Sequence, residues 1–215
     1  MAASVPPAAD YVPYIPTPTY GRKLLSSVDA TLRRSPVICT QPEPWALCKD
    51  AFAPDTAPHI VTDVDHPAVL ARCEKWTREI SDGTRPAATC VFGIGGGMAL
   101  DHAKYASVAL KVPLVLCPSI LSVDAGYTVA AGVREKREAD GKVSVIYVGD
   151  ARPVALLVDF GMLQAAPPIL NRSGIGDLLS CATALWDWTA AKEQRDERFD
   201  DGIAARTRAL VDRLV

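Results

Sequence analysis

Residues 88–104 have the sequence ATCVFGIGGGMALDHAK, in which a short apolar run is followed by a cluster of glycines and then by a helical pattern. Glycines between a strand and a helix let the backbone approach a ligand closely, and the helix N-terminus offers unpaired N–H groups to an anion. A tight turn uses one or two glycines, whereas Gly93, Gly95, Gly96 and Gly97 fall within five positions. The stretch therefore predicts a strand, an anion-binding loop and a helix.

The glycine loop departs from two common phosphate-binding fingerprints. Counted from Gly93, the sixth position of the dinucleotide fingerprint should be Gly or Ala, but Met98 stands there. The acid expected about 20 residues farther on, which would hold a ribose, is also missing. No Gly-Lys-Ser/Thr follows, so the loop is not a P-loop. We expect it to bind a pyrophosphate by another scheme, with Asp101 fixing the loop or capping the helix.

Apolar strand-like runs alternate with helical patterns along most of the chain. The predicted strands are Pro36–Thr40, His59–Val64, Ala88–Phe92, Pro113–Cys117 and Val154–Asp159. The predicted helices are Arg22–Arg34, Pro44–Phe52, Pro67–Ile80 and Met98–Lys111. This βαβ alternation predicts an α/β fold with a Rossmann-like parallel sheet.

Two further segments complete the predicted architecture. Val129–Arg134 and Lys142–Val148 flank an Asp-Gly pair, which predicts an inserted β-hairpin. No strand pattern appears from Leu163 onward, so we expect helices only. The resulting division is an α/β domain over residues 1–165 and the start of an all-helical domain over 166–215. Residues 1–20, rich in Pro and Tyr, are expected to cross the surface without regular structure.

The composition is typical of a soluble globular protein. The hydrophobic fraction is 49% and the charged fraction 22%. A net charge of -2 gives no electrostatic basis for binding nucleic acid or an anionic membrane. None of the six cysteines forms a C-x-x-C pair, which favours buried free thiols in a reducing compartment. No secretory signal or membrane span is visible, so we expect a cytoplasmic protein.

A second loop follows the predicted strand Pro113–Cys117. Ser119, Ser122 and Thr128 supply hydroxyl groups, and Asp124 supplies a negative charge. Open α/β sheets bind ligands at the carboxyl ends of their strands. Alone, such residues are ordinary turn formers; beside the glycine loop they predict one cleft lined by two strand ends.

A third motif, Gly174-x-Gly176-Asp177, precedes a long apolar helical pattern that contains Asp187 and Trp188. An acid after a Gly-x-Gly turn, at the start of a helix, is either a cap or a ligand held on a rigid element. A first-turn Asp gains about 0.3–1 kcal/mol from the helix dipole without any function. Both interpretations stay open on this segment alone.

Together, the order and spacing of the three motifs resemble the iron-containing alcohol dehydrogenase and dehydroquinate synthase-like superfamily. The closest branch is similar to the sn-glycerol-1-phosphate dehydrogenases. The resemblance covers roughly residues 20–190. It is carried by Gly95 to Gly97 with Asp101 and Lys104, by Pro118-Ser119 to Ser122-x-Asp124, and by Gly174-x-Gly176-Asp177 with Asp187-Trp188.

The resemblance implies a role for each motif. An N-terminal α/β domain would bind NAD or NADP, and a helical domain would hold a divalent metal, Zn or Fe. Asp124 would contact substrate, and Asp177 would contact substrate and ligate the metal, which makes both catalytic residues. The residues implied in cofactor binding are Gly95, Gly96, Gly97, Met98, Asp101, Ser119, Ser122 and Thr128.

Two departures from the family pattern affect this interpretation. The second loop has Asp124-Ala125-Gly126 where the family commonly has Asp-Gly, which slightly resembles dehydroquinate synthase. The family completes its metal site with two later histidines, but His59, His66 and His102 all precede Asp177. A catalytic zinc site takes three protein ligands. We therefore expect a C-terminally truncated chain that is inactive as a dehydrogenase on its own.

Three functions follow as hypotheses. The first is a metal-dependent, NAD(P)-linked oxidoreductase that acts on the CH–OH group of a small polyol or polyol phosphate. The second is a cyclase of the dehydroquinate synthase type. The third is a non-catalytic nucleotide-binding fragment. For the first, the expected partner is a small-molecule substrate, and a homo-oligomer is compatible with the family.

Overall fold

A computed structural model describes residues 15–213 of the chain. It contains eight strands, six of which form one parallel sheet in the order β1-β8-β5-β4-β2-β3. The strands are β1 (Thr19–Gly21), β2 (Pro36–Thr40), β3 (His59–Ile60), β4 (Cys90–Gly95), β5 (Leu114–Pro118), β6 (Ala131–Lys136), β7 (Val143–Val148) and β8 (Ala155–Asp159). The predicted α/β fold with a parallel sheet is confirmed.

Helices cover both faces of the sheet. They are α1 (Pro42–Cys48), α2 (His66–Ser81), α3 (Gly97–Leu110), α4 (Phe160–Ala165), α5 (Pro168–Arg195) and α6 (Asp201–Val211). Short 3-10 turns occupy Leu24–Ser27, Lys49–Ala51 and Asp124–Tyr127. Within the described residues no strand follows β8, as predicted, and no helix there is long and apolar enough to cross a lipid bilayer.

The alternation of side chains along each strand builds two separate cores. On one face, Val37 and Cys39 of β2 pack with residues of α2 and α3. On the other face, Ile38 between them packs with residues of α1 and α4. Neighbouring positions of a strand point to opposite faces, so an all-parallel sheet with helices on both sides needs continuous apolar runs. The short Val- and Ile-rich runs of the sequence meet that requirement.

Gly93 explains how closely α3 packs on the sheet. It lies inside β4, which continues to Gly95 instead of ending at Phe92 as predicted. A Cβ atom at Gly93 would lie 2.7 Å from the Cβ of Ala103 on α3 and 2.9 Å from Cδ2 of Leu116 on β5. Gly93 therefore serves helix–sheet packing, and the loop itself begins only after Gly95.

The predicted hairpin is confirmed. β6 and β7 pair antiparallel from Ala131 opposite Val148 to Lys136 opposite Val143. Gly141 in the connecting turn has a φ of 68°, a conformation that glycine adopts without strain. One contact between the hairpin and the rest of the fold is made by Arg134, whose backbone N–H donates to the carbonyl oxygen of Val64 at 2.8 Å.

Three local predictions are wrong. The helix expected over Arg22–Arg34 is limited to the 3-10 turn Leu24–Ser27, because the carboxylate of Asp159 accepts a hydrogen bond from the Leu24 N–H at 2.8 Å and fixes this segment beside β8. The strand expected over His59–Val64 contains only His59–Ile60. The N-terminal segment is not wholly irregular, since β1 pairs with β8; residues 1–14 lie outside the described residues.

The cysteines are free, as predicted, and five of the six are buried. Burial raises the pKa of Cys48, Cys73 and Cys90 to about 12. A thiol with such a pKa stays protonated at neutral pH and is a poor nucleophile. These cysteines therefore act as small apolar core residues.

We predict that His102 makes the fold sensitive to mild acid. Both of its ring nitrogens are buried, and neither has a hydrogen-bond partner within residues 15–213; the ring lies 4.7 Å from that of His59. Burial, with help from His59 and Arg72, lowers the pKa of His102 to about 4, while Asp63 opposes the shift. The unfolded chain takes up a proton near pH 6.5, but the folded chain does not until near pH 4. Stability therefore falls as the pH drops through this window.

The loss from His102 should be about 2 kcal/mol between pH 7 and pH 5. His102→Phe should remove this part of the pH dependence, because an apolar ring in the same place has no proton to take up. Urea unfolding of both proteins at pH 7 and pH 5 provides the measurement. Equal losses of stability in the wild type and the variant would contradict the prediction.

Candidate functional site

The carboxyl ends of β2 and β4 form a crevice. These strands are neighbours, yet the helices that follow them lie on opposite faces of the sheet, α1 on one and α3 on the other. Such a switch point is where open α/β sheets bind ligands. A cavity of about 620 Å³ opens there. Its lining residues are Gln41, Glu43, Pro44, Leu47, Gly96, Gly97, Met98, Ser119, Ile120, Met162, Ala165, Ala166, Pro167 and Leu170.

The glycine loop presents backbone, not side chains, to this cavity. Gly96 stands at the N-cap of α3 in an extended conformation, and no side chain of the described residues caps the helix. The first N–H groups of a helix have no partner within it. The N–H of Gly96 donates to Oε1 of Gln41 at 3.3 Å, which holds the loop against the end of β2. The loop and the first turn of α3 thus offer N–H groups to an anion.

The second loop lies directly beside the glycine loop. The backbone N–H of Ser119 donates to the carbonyl oxygen of Gly95 at 2.9 Å, and Ser119 is 5% exposed. The side chain of Ile120 lies next to Gly96, since a Cβ there would be 2.9 Å from its Cδ1. The expected juxtaposition of the two strand ends is therefore present in the structure.

Asn171 joins the second loop to the long helix α5. Its Oδ1 accepts a hydrogen bond from the Leu121 N–H at 3.0 Å, and its Nδ2 donates to the carbonyl oxygen of Leu163 at 2.8 Å. Sequence reasoning did not select this residue. The only signal available was an Asn in the first turns after the Pro167-Pro168 pair, which is equally typical of a helix start.

The Gly-x-Gly segment is not a turn, contrary to prediction. α5 begins at Pro168 and continues through Gly174, Gly176 and Asp177, so Asp177 lies in the helix interior and is exposed. A Cβ at Gly174 would overlap the carbonyl oxygen of Leu121, whereas one at Gly176 would meet nothing within 4 Å. Because α5 passes so close to the second loop, there is no room for a side chain at position 174.

Asp101 neither caps α3 nor contacts the glycine loop, which corrects the expectation. Its carboxylate accepts a hydrogen bond from Nζ of Lys104 at 3.2 Å and another from the Gly132 N–H in β6. Lys104 is 0% exposed and also donates to Oγ1 of Thr128 at 2.9 Å and to the carbonyl oxygen of Ala130 at 3.0 Å. Burial raises the pKa of Asp101 and lowers that of Lys104, while the pairing opposes both shifts. This group holds the second loop and the hairpin on α3.

The predicted site residues therefore fall into three groups. Gly96, Gly97, Met98 and Ser119 line the cavity, and Gly95 forms the adjoining end of β4. Asp101 and Thr128 belong to the Lys104 hydrogen-bond group. The third group contacts neither the cavity nor Lys104 through a hydrogen bond: Ser122, Asp124 at the start of a 3-10 turn, and Asp177 on α5.

Within residues 15–213, no group of three or more His, Cys, Asp or Glu side chains is placed to hold a metal ion. A catalytic Zn or Fe centre needs several such ligands. The described residues therefore do not fit a metal on their own, and Asp177 could supply no more than one of the ligands.

We predict that Lys104→Met destabilises the fold by about 3 kcal/mol, because it leaves the largely buried carboxylate of Asp101 without its cation. The double variant Lys104→Met/Asp101→Leu should recover part of that loss, since the unpaired charge is then gone. Urea unfolding of the two variants and the wild type tests the coupling. If the free energy of unfolding of Lys104→Met lies within about 0.5 kcal/mol of the wild-type value, the role assigned to Lys104 is wrong.

Gly174→Ala and Gly176→Ala form a matched pair on one helix. The first should destabilise the chain by about 1–3 kcal/mol, because its Cβ must displace the backbone of the second loop. The second should stabilise by about 0.5–1 kcal/mol, since alanine favours a helix interior and meets no obstacle. Thermal unfolding measures both. A similar gain of stability in both variants would show that α5 does not pack on the loop in this way.

Comparisons with known proteins agree with the geometry. The family model of the iron-containing alcohol dehydrogenases matches residues 48–167. A glycerol-1-phosphate dehydrogenase [NAD(P)+] of Methanothrix thermoacetophila is 28% identical over 83% of this chain and 49% of its own length. One from Pyrobaculum aerophilum is 35% identical over 53% of this chain and 32% of its own length. The chain thus spans about half the length of these relatives or less.

Solved structures share the fold. Glycerol dehydrogenase from Schizosaccharomyces pombe superposes with a TM-score of 0.58 at 21% identity, covering 80% of this chain and 43% of that one. Sulfoacetaldehyde reductase from Bifidobacterium kashiwanohense, solved in complex with NAD+, gives 0.58 at 20% identity, covering 80% of this chain and 52% of that one. With the family model matching more than half of its residues, the chain belongs to the iron-containing alcohol dehydrogenase family.

Proposed function

We propose that this chain is the cofactor-binding part of an NAD(P)-linked dehydrogenase that acts on a small polyol or polyol phosphate, similar to the glycerol-1-phosphate dehydrogenases. The observation that supports this most directly is the uncapped start of α3, which lies in a cavity at the switch point of a parallel sheet. Family membership and the names of the relatives support the reaction type. In domain terms, residues 1–165 would bind the dinucleotide and 166–215 would belong to a helical domain.

Each residue near the cavity has a proposed role in binding. The backbone N–H groups of Gly97 and Met98 would bind the pyrophosphate at the uncapped start of α3. Gly96, whose N–H donates to Gln41, would keep the loop small enough for the phosphate to approach. Ser119 would close the wall on the β5 side. The nicotinamide ring, when bound, supplies or accepts the hydride. Ser122 would extend the cofactor wall along the second loop.

Asp101 and Thr128 would act on the cofactor indirectly. Both bind Lys104, so they position the second loop beside the glycine loop. Asp124 and Asp177 are exposed carboxylates on the second loop and on α5, and we propose that they contact the substrate. A carboxylate oxygen accepts hydrogen bonds from the hydroxyl groups of a polyol, which would orient the reacting carbon.

Asp177 is also our proposed ligand for a divalent metal, Zn or Fe, with its other ligands outside residues 15–213. Because the described residues offer no complete set of ligands, we expect no turnover from the purified 215-residue chain. The test is metal analysis, with an assay on glycerol 1-phosphate, glycerol and dihydroxyacetone phosphate. Tight stoichiometric metal with turnover would show that the site has been misplaced.

The compartment, the substrate class and the assembly state of the protein are also proposals. Buried free thiols suit a reducing compartment, so we propose the cytoplasm. By similarity to the dehydrogenase relatives, we also propose a small-molecule substrate and a homo-oligomer. Size-exclusion chromatography with light scattering would measure the assembly state.

Gly96→Val tests the dinucleotide site. Its β-carbon would meet only the flexible end of Ile120, so the fold should tolerate it, while the branched side chain would obstruct the approach to a phosphate. We predict that NAD(H) or NADP(H) binding weakens at least tenfold, which corresponds to about 1.4 kcal/mol. Gly176→Val is the matched control, because nothing lies within 4 Å of that position. Titration calorimetry gives the dissociation constants; equal affinities in wild type and Gly96→Val would remove the proposal.

A further inference from the structure

We propose that the cavity selects NAD over NADP and that Glu43 sets this preference. The inference rests on the proposed dinucleotide function and makes it more specific. The relatives are named glycerol-1-phosphate dehydrogenase [NAD(P)+], which covers both cofactors, so family membership does not decide between them. The order of the strands and the charge of the cavity wall favour NAD instead.

Strand order explains why the sequence lacks an acid downstream of the glycine loop. In the common dinucleotide fold, the strand that follows the loop in sequence carries a carboxylate for the 2′-hydroxyl of the ribose. Here β4 has two neighbours, β5 on one side and β2 on the other. The end of β5 contributes Ser119 and Ile120, which carry no charge. A carboxylate beside the loop must therefore come from β2, which precedes the loop in sequence.

Glu43 is that carboxylate. It lies in the first turn of α1, directly after β2, and it lines the cavity together with Gly96 and Gly97. Gln41 lies closer to the loop, but its Oε1 already accepts the Gly96 N–H. The carboxylate of Glu43 is exposed, so it is available to a ligand.

The charge of the cavity wall points the same way. Among the described residues that line the cavity, Glu43 is the only one with a charged side chain, and none of them is Lys, Arg or His. A 2′-phosphate, which NADP carries and NAD lacks, is normally accommodated by an arginine. Among residues 15–213, the cavity lining would offer this phosphate a negative charge and no cation. A free 2′-hydroxyl, in contrast, can donate a hydrogen bond to a carboxylate.

The test compares NADH and NADPH binding to the full 215-residue chain by titration calorimetry at fixed ionic strength. The wild type should bind NADH at least tenfold more tightly. Glu43→Gln should reduce this ratio at least threefold, mainly through tighter NADPH binding, and Glu43→Arg should invert it. Asp50→Asn is the matched control: it removes one negative charge just after α1 but does not line the cavity, so the ratio should stay as in the wild type.

The outcomes separate this inference from the proposed function. If the wild type binds NADH and NADPH equally, or if Glu43→Gln leaves the ratio unchanged, the role of Glu43 is wrong and the dinucleotide site stands. A change of the ratio as large in Asp50→Asn as in Glu43→Gln would also overturn it, since a general charge effect would then be responsible. If a folded wild-type chain binds neither dinucleotide, the proposed function itself fails.

Discussion

The buried ammonium of Lys104 is the interaction on which the arrangement of the site depends. Removing a lysine from water is costly, and the charge is retained only where several oxygens surround it. Lys104 has three such partners, on α3, at Thr128 and at Ala130. These partners lie at the start of α3, at the end of the second loop and just before the hairpin. One side chain thus joins α3 to the stretch Thr128–Ala130, where the second loop passes into the hairpin. The Ser119–Gly95 hydrogen bond fixes the other end of the same loop.

The sheet could be predicted from the sequence because its strands are buried on both faces. Short continuous apolar runs separated by helical patterns are compatible with few folds other than a parallel sheet covered by helices. Accordingly, β2, β5 and β8 lie within one residue of their predicted bounds. The helix predicted over Arg22–Arg34 is wrong because a tertiary contact, and not the local sequence pattern, determines the conformation of this segment. Its spacing suits a helix, but Asp159, distant in sequence, accepts the Leu24 N–H and fixes another conformation. Such a tertiary contact leaves no periodic signal, and neither does a three-residue strand such as β1, which depends on pairing with β8.

The candidate site likewise combines features that have a local sequence signal with features that depend on tertiary contacts. The position of the glycine loop could be predicted from the local sequence, because several glycines between a strand and a helix are typical of an anion-binding loop. The context of Asp177 did not, since a Gly-x-Gly segment is equally typical of a turn and of a helix that passes close to another backbone. Only the contact of Gly174 with Leu121 decides between the two. Asn171 was missed because its hydrogen bonds reach Leu121 and Leu163, which no spacing rule connects.

Sequence fingerprints record the order of residues along the chain, whereas a ligand meets their order in space. The common dinucleotide fingerprint expects an acid after the glycine loop because, in that fold, the next strand is the relevant neighbour. In this sheet the chain leaves β2 for the edge strand β3 and then returns to place β4 on the other side of β2. The neighbouring strand that can carry the acid, β2, therefore precedes the glycine loop in sequence. The physical requirement, a carboxylate at the strand end beside the glycine loop, can be met by Glu43 even though the fingerprint is not.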